Sequence, residues 1–162
     1  MPSQSFVISD LEIAEIDAAV ALWEDSGLTR PWNDAREDAR RALAGATSTI
    51  LAGRIAGRLV ATAMVGADGH RGWLYYLATA PDLRGQGLGE AMMRAAEGWA
   101  ATRGMPKLQL MVRHDNPEAK GFYEAIGYTA EPVTVYARRF GAAGQGAGEV
   151  VDSSGPGSGW PT

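Results

Sequence analysis

The chain contains no cysteine. That excludes disulfides, thiolate zinc sites and a cysteine nucleophile. Only two histidines are present. His70 and His114 lie far apart and lack metal-ligand spacing, so no metal is expected. There is no basic excess either: 15 Lys and Arg stand against 19 Asp and Glu, for a net charge of −4. A general nucleic-acid binder would show a basic stripe, and a surface membrane anchor a polybasic patch. No apolar run reaches the roughly 18 residues of a membrane span. The N-terminus has no basic n-region followed by a long apolar stretch. A soluble cytoplasmic protein with no nucleic-acid or membrane partner is therefore expected. No internal repeat is visible.

What remains is ample for one core. The chain has 162 residues, 46% of them hydrophobic, within the roughly 100–200 residues of a single domain. From Gly141 the composition changes to Gly-Ala-Ala-Gly-Gln-Gly-Ala-Gly and Ser-Ser-Gly-Pro-Gly-Ser-Gly. Such stretches cannot bury a core. Residues 1–140 read as the domain and 141–162 as a flexible tail.

Within the domain, Phe6–Ile8 reads as a short strand. Ser9 or Asp10 can cap a helix with Ile13, Ile16, Val20 and Trp23 on one face, ending near Gly27. The loop Leu28–Asp34 carries Trp32. Asn33 or Asp34 starts a second helix, with Glu37 placed as in a capping box, running to about Ala44. Ile50–Ile55 and Arg58–Val65 pattern as a hairpin about Ala56-Gly57. A turn over Gly66–Gly72 leads into a strand over Trp73–Thr79, which Pro81 ends. Met92, Ala95, Ala96 and Trp99 recur at helix spacing, in a helix from about Gln86 to Arg103 before Gly104. Trp23 and Trp99 are assigned to the core. Lys107–Arg113 alternates as a strand. It should lie parallel to Trp73–Thr79, because a helix separates the two. Asn116 caps a helix begun by Pro117 and closed at Gly127. Thr129–Phe140 carries a last strand, although Pro132 weakens its start.

The densest chemical signal is Arg84-Gly-Gln-Gly-Leu-Gly89 between a strand and a helix. Glycines let the backbone approach a ligand closely, and a helix start offers unpaired N–H groups and positive potential. This is the expected seat of a nucleotide cofactor's pyrophosphate. The spacing is G-x-G-x-G, not the G-x-G-x-x-G of dinucleotide sites, and the Gly-Lys-Ser/Thr of a P-loop is absent.

Arg84-Gly-Gln-Gly-Leu-Gly89 resembles the R/Q-x-x-G-x-G/A signature of the GNAT family of N-acetyltransferases. Asn116-x-x-Ala119-x-x-Phe122-Tyr123-x-x-x-Gly127-Tyr128 resembles that family's second signature. The likeness spans about residues 5–140. The Arg30–Asp34 loop and the Asp68–Gly72 turn further resemble its small bacterial, YpeA-like branch. The resemblance implies the GNAT fold: an α/β (α+β) domain whose mixed, mostly antiparallel sheet holds a central splayed parallel strand pair flanked by helices. It implies acetyl-CoA as cosubstrate. Leu77, Ala78 and Thr79 would run along the pantetheine, with backbone contacts from Leu77 and Thr79. Arg84, Gly85, Gln86, Gly87, Leu88 and Gly89 would hold the pyrophosphate. Asn116 would bond the pantetheine arm, and Tyr123 would act as general acid on the departing thiolate. A backbone N–H near Leu77 would serve the oxyanion.

The implied reaction is N-acetylation of a primary amine, on a small molecule or a protein N-terminus or lysine. With no cysteine, transfer is direct, in a ternary complex. Many members carry a carboxylate on the strand before the glycine loop, and Trp73–Thr79 has none. Asp68, His70, Asp115 and His114 are candidate bases, with Tyr75 or Tyr76 as a water anchor. Asp68-Gly69 also favours a plain turn, and His114-Asp115 a plain loop. The acceptor pocket is expected from Leu28–Asp34, Asp68–Gly72 and Thr129–Tyr136, with Trp32, Asn33 and Tyr75 as its contacts. A homodimer is compatible with this reading. The alternative is an acyl-CoA-binding sensor without turnover.

Overall fold

Strand alternation sets the layering. A computed structural model describes residues 4–141 of the chain. Strand β2 (Ser48–Ile55) turns Ile50 and Ala52 to one core and Leu51 to another. Strand β3 (Arg58–Ala67) does the same, with Val60 on the first side and Ala61, Ala63 and Val65 on the second. A strand buried on both faces needs this unbroken small and β-branched run.

The first core is filled from helices α1 (Ile16–Asp25) and α2 (Ala35–Ala44), through Val20, Trp23, Ala39 and Ala42. The second is filled mainly from helix α3 (Leu88–Thr102), through Met92, Met93 and Ala96. Helix α4 (Pro117–Ala125) adds Phe122 and Tyr123 at its edge. Strand β1 (Phe6–Asp10), strand β4 (Gly72–Thr79) and strand β5 (Leu108–Leu110) complete a five-stranded sheet. Its order is β1-β2-β3-β4-β5, antiparallel except for the parallel β4–β5 pair.

The β2–β3 hairpin turns at Ala56 and Gly57, both at positive φ (49° and 79°). Such residues match the twist of a two-residue hairpin. Asp34 caps α2 by accepting from the Glu37 N–H at 3.1 Å. Asn116 caps α4 by accepting from the Ala119 N–H at 3.1 Å.

Three expectations are corrected. Neither Ser9 nor Asp10 is a helix cap, because β1 continues through them, pairing with Ala52 and Leu51. A 3₁₀ turn, Ile13–Glu15, precedes α1 instead. Trp99 packs against the second core but is only half-buried, with the Arg103 guanidinium 3.8 Å above its ring. Residues 129–140 form no strand. The chain divides after Ala130 into two compact units. In the second, Glu131 to Gly141 are described and contain no helix or strand. The tail expected over 141–162 lies, beyond Gly141, outside the described residues.

Gly53 sits at a register shift of β2. A Cβ there would meet Phe6 Cζ at 2.4 Å and Met92 Sδ at 3.1 Å. Gly53→Ala should therefore cost about 1–3 kcal/mol, as overpacking does. Urea unfolding measures it, and an unchanged midpoint would show that Phe6 repacks without cost.

Candidate active site

Strands β4 and β5 part company early. Their register covers only Gly72↔Leu108, Trp73↔Gln109 and Leu74↔Leu110. Beyond Leu74, β4 continues to Thr79 beside β3 alone. The Ala80 N–H bonds to the Val60 carbonyl at 2.8 Å, toward β3. Strand alternation then turns the backbone groups of Leu77 and Thr79 to the opposite side, the edge that β5 has left. An unpaired edge of this kind accepts an extended amide chain as an added strand. Ala78, between them, faces β3 and the α1–α2 core and is 3% exposed.

The glycine loop follows. A 3₁₀ turn, Pro81–Leu83, is tied to the start of β3 by Arg58, whose two Nη atoms donate to the Asp82 carboxylate at 3.0 and 3.1 Å. Gly85 and Gly87 have φ of 77° and 79°. That left-handed backbone suits glycine, and a Cβ at either would meet nothing within 4 Å. The loop therefore faces open space. Gly87 is also the N-cap of α3, and no side chain caps that helix. The N–H groups of its first turn are thus available, as at other anion-binding helix starts. Gly89 has a different reason to be small: a Cβ there would lie 3.3 Å from the Phe122 ring. Arg84 and Gln86 are exposed in the loop, whereas Leu88 is buried beneath it. These groups suit a diphosphate followed by an extended amide arm.

On α4, the Asn116 Oδ1 is engaged as a cap. Tyr123 is half-buried, edge-on to Phe122 (5.1 Å) and Tyr128 (6.0 Å). Burial pushes its phenol up to about 12, so it carries its proton at every physiological pH.

Across the sheet lies a cavity of about 550 Å³. Its walls include Asn33, Asp38, Met64, Tyr75 and Tyr76. Two of the residues expected to meet an acceptor, Asn33 and Tyr75, thus share one cavity. Trp32 stands one residue away, 42% exposed, outside its lining.

The candidate bases are dispersed. Asp68 holds the β3–β4 turn: its Oδ1 accepts from the backbone N–H groups of His70 (2.8 Å) and Arg71 (2.7 Å). Its Oδ2 accepts from Trp73 Nε1 at 3.0 Å. Those bonds, the backbone ones first, hold its carboxyl below the usual range. His70 is exposed in that turn, which joins the strand end opposite the glycine loop. Asp115 is exposed and paired with Arg113 at 3.1 Å. The backbone carbonyl of His114, next to it, accepts from Lys120 Nζ.

Sequence reasoning passed over Asp38 and Thr62. Thr62 is fully buried, accepts from Trp23 Nε1 at 2.8 Å and donates to the Tyr76 carbonyl at 2.9 Å. Asp38 accepts from the Tyr76 hydroxyl at 2.7 Å. One signal did point to Asp38. It falls at helix spacing with Ala35 and Ala42, so an acid sits beside the core-facing stripe of α2.

Among the described residues, no group of three or more His, Asp or Glu is arranged to hold a metal ion. No helix among them is long and apolar enough to cross a membrane.

Residues 16–128 match the model of the Acetyltransferase (GNAT) family. Acetyltransferase YE1169 of Yersinia enterocolitica (serotype O:8 / biotype 1B) is 37% identical over 126 residues, covering 78% of this chain and 89% of its own. Among solved structures, the aminoglycoside N-acetyltransferase AAC(6')-Iy in complex with CoA has a TM-score of 0.74 at 13% identity, covering 86% of this chain and 98% of that one. The ribosomal-protein-alanine N-acetyltransferase of Brucella melitensis biovar Abortus 2308 has a TM-score of 0.67 at 22% identity, covering 84% and 99%. The two solved structures share the fold. Sequence and fold meet on one assignment: the chain belongs to the GNAT family of acetyltransferases, and it is an acyltransferase.

Proposed function

We propose that the chain moves the acetyl group of acetyl-CoA directly onto a primary amine, with both substrates bound together. The observation that carries this reading is the parting of β4 from β5 beside an uncapped, glycine-led helix start. Acetyl-CoA supplies an activated thioester. The protein supplies its placement: N–H groups from Arg84 to Gly89 bind the diphosphate, and Leu77 and Thr79 bond the pantetheine amides. A backbone N–H near Leu77 serves the developing oxyanion. Tyr123 donates a hydrogen bond to the leaving sulfur. Burial keeps the phenol protonated, so its hydroxyl is available as a donor. A hydrogen bond from that hydroxyl stabilises the departing thiolate.

The acceptor enters from the cavity bounded by α2, β3 and β4. The aminoglycoside and ribosomal-protein-alanine acetyltransferases that share the fold are both named for amine-bearing acceptors, which supports an amine here. A cytoplasmic location suits a small acetyl-CoA enzyme.

Thiol release from acetyl-CoA against an amine panel tests the reading. Amine-dependent release, with an acetylated product by mass, is expected. Tight coenzyme A binding with no amine acetylated would replace this reading by a CoA-binding module.

A further inference from the structure

The register of β3 against β4 shifts between Thr62 and Met64. Thr62 opposes Ala78 and Met64 opposes Tyr75, so Ala63 faces two residues, Tyr76 and Leu77. Tyr76 has φ of 49°, a left-handed backbone that costs a bulky residue of order 1–3 kcal/mol. The bulge breaks alternation and sets consecutive tyrosines, Tyr75 and Tyr76, on the same cavity.

Three contacts hold Tyr76 there. Thr62 donates to its carbonyl, and Trp23 stacks on its ring with centroids 4.0 Å apart and planes 21° apart. Its hydroxyl donates to Asp38 Oδ2 at 2.7 Å. Burial, and then the Asp38 carboxylate, push the phenol far above its usual range, so it remains the donor. Asp38 is thereby fixed in the cavity wall with its side chain 25% exposed. Its other oxygen accepts from Arg41 at 3.0 Å, but Arg41 is 73% exposed and such an exposed pair is weak. A carboxylate offers about four lone-pair sites, and these two bonds leave room for another donor. Leu28, Ala42, Met64 and Val65 supply an apolar lining.

Asp38 stands a full tyrosine side chain away from the β4 backbone, where the acetyl group is handled on the proposed function, on which this inference rests. That position, at the tip of the Tyr76 side chain, suits a second cation of the acceptor rather than the nitrogen that reacts at the backbone. We infer that Asp38 is a specificity-determining residue that binds a second ammonium of the acceptor, selecting diamine-type substrates over monoamines. Tyr76 positions it, and Arg41 competes with the substrate for it.

The test compares diaminopentane with pentylamine, using acetyl-CoA and the full chain. Diaminopentane should show the lower KM, by about ten- to a hundredfold, as befits one charge-assisted contact. Asp38→Asn keeps an acceptor for Tyr76 and should erase that preference, with the affinity for coenzyme A unchanged by calorimetry. Arg41→Ala should move the other way and lower the KM for diaminopentane further, a gain that a merely structural role would not produce. Equal KM values in the wild type, or a preference that survives Asp38→Asn, would overturn the inference while the transferase reading stands. Failure to acetylate any amine would remove that reading and this one together.

Discussion

Replacing Gly87 by valine should weaken coenzyme A binding by about a hundredfold while leaving the domain folded. Gly87 combines a φ of 79° with the N-cap position of α3. Valine resists that conformation, since its branched Cβ crowds the following carbonyl. The loop relieves the strain by moving, and the N–H groups of Gly87 and the first helical turn then no longer converge on one point. Loss of two charge-assisted hydrogen bonds, each about 1.5 kcal/mol or more, corresponds to a hundredfold or more in affinity. Stability should fall far less. Gly87 is exposed, and a Cβ there touches nothing within 4 Å, so the cost is the local backbone strain of about 1–2 kcal/mol. Calorimetric titration with coenzyme A and a thermal melt read the two effects separately. Unchanged affinity would place the diphosphate elsewhere. A collapsed melt would show that the loop serves the fold rather than the ligand.

What was legible in the sequence was local. The glycine loop, the Asn116-Pro117 helix start and the Ala56-Gly57 hairpin each declare themselves within a few residues, and each is found where expected. Features set by distant partners were not legible. Ser9 and Asp10 have good capping chemistry, yet pairing with Ala52 and Leu51 draws them into β1. Alternation over Lys107–Arg113 marks a strand correctly, but only Leu108–Leu110 find partners on β4. The β4 bulge carries no glycine or asparagine to announce it. It depends on Thr62 and Trp23, which lie 14 and 53 positions from Tyr76 in the chain. Asp38 depends on the same bulge. The proposed cofactor half of the site is built from contiguous segments and could be read from motifs. The proposed acceptor half, the cavity bounded by α2, β3 and β4, is assembled by the sheet from distant segments.

Tyr123→Phe should lower kcat by about ten- to a hundredfold and leave the affinity for coenzyme A nearly unchanged. The ring remains, with its edge contacts to Phe122 and Tyr128, so packing and ground-state binding are preserved. Only the hydroxyl is lost. A hydrogen bond to a group that becomes charged as the sulfur departs contributes about 1.5–3 kcal/mol, and it acts mainly in the transition state. The loss therefore falls on kcat rather than KM. The pH profile separates this role from that of a titrating acid. A phenol near 12 stays protonated across the assay range, so wild type and variant should rise in parallel as the acceptor amine deprotonates. An acid titrating within the range would give the wild type an alkaline limb that the variant lacks. Such a limb would restore full proton transfer to Tyr123, whereas an undiminished kcat in Tyr123→Phe would remove this residue from the chemistry altogether.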